Sequence, residues 1–221
     1  MKIDLLIAYL SIGSVLIPLT IAVIHWKKMA AELKPLCWIL LVSLTCDMLS
    51  FLLIELKLNT LLVVNIYLFA QFSFLIWLFK IQLKRKYVLN FTYLFFVIFF
   101  IVNICFFQGP WVFNSFSNVV ACLILICLTL YYFSRLLNDL PTFYIYQLPM
   151  LWISFAVLLY YAGNFFLFLI SNYLVLKAEE SHRMLWILHN LLNIIKNILF
   201  AVALWQSYRK VKSYTLSSSA P

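Results

Sequence analysis

Four ionisable side chains sit where an apolar chain accommodates them least: Asp47, Glu55, His189 and Lys196 all fall in or at the ends of long apolar stretches. Lys196 lies in RMLWILHNLLNIIKNILFAVALWQSY, residues 183–208, together with His189, Asn190, Asn193 and Asn197. A lysine at the centre of a bilayer-crossing helix costs about 2.5–3.5 kcal/mol on insertion scales, so it is expected to face protein and to have a partner. Asp47 is the matching anion, near the midpoint of residues 36–57 as Lys196 is of 184–208. Toward the outer end, Glu55 follows Asp47 and His189 precedes Lys196 by comparable steps of about 10–12 Å along each helix. Two stacked pairs are therefore expected, Asp47 with Lys196 at the centre and Glu55 with His189 nearer the outside.

Such a constellation supports a proton- or ligand-sensitive latch, because an imidazole ordinarily titrates near physiological pH. The plainer reading is that Asp47 and Lys196 tie two helices together, and that Glu55 is an interfacial carboxylate in water. A buried pair adds little net stability, although losing one partner strands the other charge.

The elements that must position these groups follow from the hydropathy pattern. Seven apolar segments, approximately 4–25, 36–57, 60–80, 87–107, 115–136, 149–174 and 184–208, are each long enough to cross a bilayer as a helix. In the second, Ser43, Asp47, Ser50 and Glu55 fall close to one helix face; in the seventh, His189, Asn193, Lys196 and Asn197 do the same. Uncharged polar residues mark other spans: Asn65, Tyr67 and Gln71 in the third, Asn103 in the fourth, Asn118 in the fifth, and Tyr160, Tyr161, Asn164 and Asn172 in the sixth. Most such residues serve interhelical hydrogen bonding. Spans two, three, six and seven are nonetheless the most polar, which predicts a small cavity among them. Asp47, Lys196, His189, Asn193, Glu55, Gln71, Tyr160 and Asn164 are its candidate ligand-binding or switch residues.

Composition agrees with an all-α, polytopic membrane protein. The chain is 66% hydrophobic and 10% charged, against about 45–50% and 25% in soluble domains. The net charge of +9 does not indicate nucleic acid, because the basic residues stand in short runs between apolar segments and read as topology signals. Eleven of them flank alternate connections on one side and four the other, the sixteenth being Lys196. The positive-inside rule then places the N-terminus outside and the C-terminus in the cytoplasm. Residues 1–208 are expected to form one seven-helix domain and 209–221 a short cytoplasmic tail without a kinase, cyclase or binding domain. Outer connections at 56–59, 108–114 and 175–183 are too short for an ectodomain.

Several chemistries find no support. Cys37, Cys46, Cys105, Cys122 and Cys127 lack CxxC or Cys/His spacing, so neither a disulfide framework nor a metal site is indicated, and no cofactor is expected. GxSxG and GxxxG are absent. Pro18 is the only proline well inside a span, and neither paired Gly or Pro interruptions nor an internal repeat appears. Packing is left to large side chains, with 21 Phe and 13 Tyr supplying aromatic contacts.

A lysine in the seventh span resembles that of microbial rhodopsins, but the position where those proteins carry an acidic residue holds Leu192, which argues against retinal. WISFAVLLYYAGNFFLFLISNY and MLWILHNLLNIIKNILFAVALW resemble small bacterial seven-helix proteins similar to the membrane sensor regions of histidine kinases, here without the kinase. The resemblance makes His189, Asn190 and Asn193 part of a shared pattern. It implies an input module in the bacterial inner membrane that works beside a separate histidine kinase or other signalling protein.

The leading expectation is thus a receptor-like sensor that binds a small or lipophilic ligand in the bundle and acts through a partner. A small-molecule or proton-coupled transporter, with Asp47, Lys196 and His189 as a relay, is the second class. An intramembrane lipid hydrolase, using Asp47 and His189 for acid–base work, is the third.

Overall fold

The computed structural model describes residues 2–83, 85–139, 145–174 and 179–218, with the side chains at 2, 3, 28, 139, 170–174, 179–182 and 210–218 left out. Lys84, Lys177 and the side chains of Asn172, His182, Lys210 and Lys212 thus lie outside the described residues. Every regular element among the described residues is helical: α1 Lys2–Ser14, α2 Leu16–Ile24, α3 Lys34–Glu55, α4 Leu61–Leu83, α5 Lys86–Val102, α6 Ser115–Asp139, α7 Pro149–Leu174 and α8 Glu179–Ser218. Among the described residues seven segments are long and apolar enough to cross a membrane, α1 and α2 together supplying the first. These are the seven apolar segments expected.

The first span lacks one helix hydrogen bond, because Pro18 has no N–H to give the carbonyl of Ser14, while Val15 keeps helical dihedrals at φ −64° and ψ −28°. Ser14 Oγ instead donates to the carbonyl of Ser11 at 2.6 Å. At the other end of the chain, α8 runs on past the last candidate span, which ends at Arg209. Nothing in RKVKSYTLSS breaks a helix, neither Gly nor Pro, so α8 continues through Arg209 to Ser218. Its 40 residues make about 60 Å, twice the hydrocarbon thickness of a bilayer.

α8 packs along α7 on one side and along α1 and α2 on another, α7 packs along α6, and α3 along α4. Fully buried side chains at the contacts include Leu36, Leu40, Phe72, Phe79, Phe96, Leu125 and Phe200. Phe72 stacks on Phe96 with centroids 3.8 Å apart, and Phe69 meets Phe100 at 5.2 Å, joining α4 to α5. The outward surface is the reverse of a water-soluble one, with Leu6, Ile24, Phe91, Ile98, Phe106, Leu130 and Phe166 all exposed. In lipid these contacts hold by close packing and hydrogen bonding, since lipid tails are as apolar as the helices.

The connections close each end of the bundle differently. At the end bearing Lys27, Lys34 and Arg85, Arg135 Nη1 donates to the carbonyl of Leu83 at 2.6 Å, and Gln82 Nε2 donates to Glu32 at 3.1 Å. At the opposite end, Asn59 Nδ2 donates to the carbonyl of Trp111 and Asn65 Nδ2 lies 2.9 and 3.0 Å from those of Pro110 and Val112, pinning the 108–114 loop. α3 ends there with Lys57 in the left-handed region at φ 55°, while Leu58 N bonds back to the carbonyl of Leu53.

Candidate functional site: the polar interior

Polar side chains of α7 and α8 meet in the interior of the bundle, Lys196 with Tyr160 and His189 with Asn164. Lys196 is 2% exposed. Its Nζ lies 4.2 Å from the centroid of the Tyr160 ring on α7, the geometry of a cation over the negative face of an aromatic ring. The charge of Asp47, on α3, acts on Lys196 across this space. Among the described residues, however, no carboxylate comes within 4.0 Å of Lys196. The expected central pair is therefore not a closed ion pair. Ser43 lies one turn before Asp47 on the same helix.

Glu55 does not meet His189. It is exposed at the C-terminal end of α3, where water solvates a carboxylate at less cost than burial against an imidazole. His189 turns instead to α7, its Nδ1 2.8 Å from Asn164 Oδ1. Asn164, with no exposed surface, donates through Nδ2 to the carbonyl of Tyr160 at 2.7 Å, which fixes its amide orientation. The oxygen then faces His189, so Nδ1 carries the proton and Nε2 is left as a bare acceptor. The imidazole is boxed by Tyr160, Phe168 and Trp186, with ring centroids at 5.7, 6.0 and 5.2 Å.

Gln71, one turn after Tyr67 on α4, is buried and its Nε2 has no hydrogen-bond partner. A buried amide N–H without an acceptor costs about 1–3 kcal/mol, so it is a donor in want of an acceptor. Asn193 is spent otherwise: its Nδ2 donates to Ser11 Oγ at 2.9 Å, and Asn197 Nδ2 donates to Ser14 Oγ at 2.7 Å. These two asparagines clasp the first span to α8 and leave the interior to Lys196 and His189. Sequence reasoning passed over Ser11 and Ser14, although their i, i+3 spacing matches the i, i+4 spacing of Asn193 and Asn197 on a facing helix.

A second polar knot lies where α5 gives way to the 108–114 loop. Asn103–Phe107 forms a π turn closed by Gln108 N to the carbonyl of Asn103 at 2.9 Å. Asn103 Nδ2 has three acceptors in reach, Gln108 Oε1 at 3.0 Å, Asn114 Oδ1 at 3.2 Å and Ser117 Oγ at 2.9 Å. Two protons serve at most two of them at once. This network is architectural, joining the fourth span to the fifth. Among the described residues no three His, Cys, Asp or Glu side chains converge as metal ligands.

Fold and site together define a seven-helix bundle of membrane-spanning dimensions with a lone lysine, an opposed carboxylate and a half-buried histidine in its interior. Compared with known protein families, curated proteins and solved structures, the chain matches none.

Proposed function

We propose that this protein is a receptor-like sensor of the bacterial inner membrane, with its N-terminus outside and its C-terminus in the cytoplasm. It binds a small ligand in the polar interior and passes a shift of α8 to a separate signalling protein. The observation that carries this reading is unmet hydrogen-bonding capacity on a buried cation: among the described residues Lys196, 2% exposed, has three donor protons and no carboxylate within 4.0 Å. Gln71 adds a buried amide donor without a partner on α4. A ligand with an acceptor group for Lys196 satisfies a group that the protein alone leaves unsatisfied. A ligand shifts a bundle only by its difference in affinity for two states. Lys196 on α8 provides that difference, since the same helix continues beyond the span to Ser218.

The test is gentle purification of tagged protein from its native membrane, with mass spectrometry of the proteins and small molecules that accompany it. Recovery of a histidine kinase or other signalling protein in amounts comparable with the bait, together with a small molecule lost on Lys196→Met, supports the reading. A bundle that emerges without a partner protein overturns it.

One observation favours transport as the second reading. Asp47 and Lys196 both lie within candidate spans without closing an ion pair, and ionisable residues within spans mark proton and substrate pathways. Uptake into proteoliposomes driven by a proton gradient, lost on Asp47→Asn, would put transport ahead of sensing.

A further inference from the structure

A separate cavity of about 840 Å³ opens at the basic end of the bundle, between the end of α2, the start of α3 and the end of α8. Its walls are apolar, formed by Leu19, Ala22, Val23, Ile24, Trp38 and Leu41. Val23 and Ile24 are 66% and 74% exposed, so this wall faces the surroundings of the bundle and not its core. The rim has a different chemistry. His25 stacks on Tyr208 with centroids 3.8 Å apart and meets Trp205 edge-on at 6.3 Å, fixing the end of α8 against the end of α2. Lys27 lines the rim, and Lys34 lies beside it with its Nζ 5.9 Å from the Trp26 ring.

Among the described residues no carboxylate lines this cavity, and Glu32, the acid of the same connection, is engaged by Gln82. Apolar walls open to the surroundings, aromatic rings at the rim and uncompensated positive charge above them match one chemistry. It is that of a molecule with an apolar chain, a glycerol-level junction and an anionic head. Aromatic rings favour the headgroup level of a bilayer, and lysines there attract anionic lipid by about 1 kcal/mol each. A cavity of this volume lies within the range of about 300–1,000 Å³ usual for ligand sites.

We infer that the cavity between α2, α3 and α8 is a binding site for one anionic phospholipid, its acyl chain along Leu19, Val23 and Leu41 and its phosphate at Lys27. The site stands apart from the polar interior and does not depend on the sensor reading. Because the lipid would rest on both the α2–α3 connection and Tyr208, it couples the leaflet composition to the seating of α8.

The test uses full-length protein in nanodiscs of phosphatidylcholine with or without phosphatidylglycerol, released into the gas phase for native mass spectrometry. A shallower groove of about 500 Å³ carrying Arg85 makes the informative readout the lipid lost with Lys27, not the total retained. The expected result is a retained phosphatidylglycerol whose occupancy falls about fivefold in Lys27→Gln and is abolished in Val23→Trp, which fills the wall from an exposed position. Phosphatidylcholine retention should not change in Lys27→Gln. Equal retention of the two lipids, or phosphatidylglycerol occupancy that ignores both substitutions, overturns the assignment. Unchanged circular dichroism of both variants excludes misfolding as the cause.

Discussion

Gly163 offers the most direct test of how α7 and α8 are seated. A Cβ added at this position would lie 2.5 Å from Leu192 Cδ1, 3.0 Å from Cδ2 and 3.3 Å from Cγ. Carbon atoms settle at about 3.5–4.0 Å, so the shortfall at Cδ1 is about 1 Å, and the three nearest atoms all belong to one side chain. Overpacking of this kind costs about 1–3 kcal/mol. Against it stands the helix preference for alanine over glycine, about 1 kcal/mol. Gly163→Ala alone is therefore expected to be neutral to about 2 kcal/mol destabilising. In a Leu192→Ala background the obstructing atoms are gone, and the same substitution should become stabilising by about 1 kcal/mol. The coupling energy of the cycle is then the clash itself, about 1–3 kcal/mol. Reversible unfolding in mixed micelles, followed by circular dichroism across wild type, both single variants and the double variant, measures it. Additivity within about 0.5 kcal/mol would refute the close approach of the two helices at this level. Because Asn164 is the next residue and holds His189, the single variant should also disturb the interior site.

Three further outcomes follow from the same geometry. Lys196→Met is expected to leave thermal stability in detergent unchanged or to raise it, by at most about 3 kcal/mol, the cost of a lysine at mid-span, because among the described residues no carboxylate in contact is stranded by the loss; a large drop in melting temperature would mean that Asp47 depends on Lys196. Asn197→Ala removes the bond to Ser14 and should cost about 0.6–1.7 kcal/mol, the range for interhelical hydrogen bonds in membranes; a Ser14→Ala, Asn197→Ala cycle that shows no coupling would exclude the clasp. Lys57→Gly should stabilise the protein by roughly 0.5–1 kcal/mol in denaturant unfolding, since glycine tolerates the left-handed conformation that Lys57 adopts at the end of α3; an unchanged midpoint would argue against that turn.

The number and placing of the apolar helices were legible because hydropathy over some twenty residues records what a bilayer demands. Depth was legible too, which is why Lys196 and Tyr160, near the middle of their spans, reach each other in the interior. Partner choice was not. Periodicity gives the face of a helix and rise gives its depth, but neither gives the distance to a facing helix or its rotation. Lys196 accordingly rests on Tyr160 and stands off from Asp47. His189 takes the neutral amide of Asn164, within hydrogen-bond reach on the helix packed beside it, while Glu55 keeps its water. The π turn at Asn103 was hidden for another reason: it depends on Gln108, Asn114 and Ser117 meeting in three dimensions, and no local spacing announces it.

The clasp between the first span and α8 also sets an order of assembly. Ser11 and Asn193 are separated by 182 residues, and Ser14 and Asn197 by 183. At a synthesis rate of about 5–20 residues per second, the first span waits roughly 10 to 40 s for the asparagines that hold it. During that interval its serines must be satisfied locally, as Ser14 already is by the carbonyl of Ser11. The N-terminal helices are therefore provisional lodgers during synthesis, and the bundle acquires its final circumference only when the last helix arrives to close it.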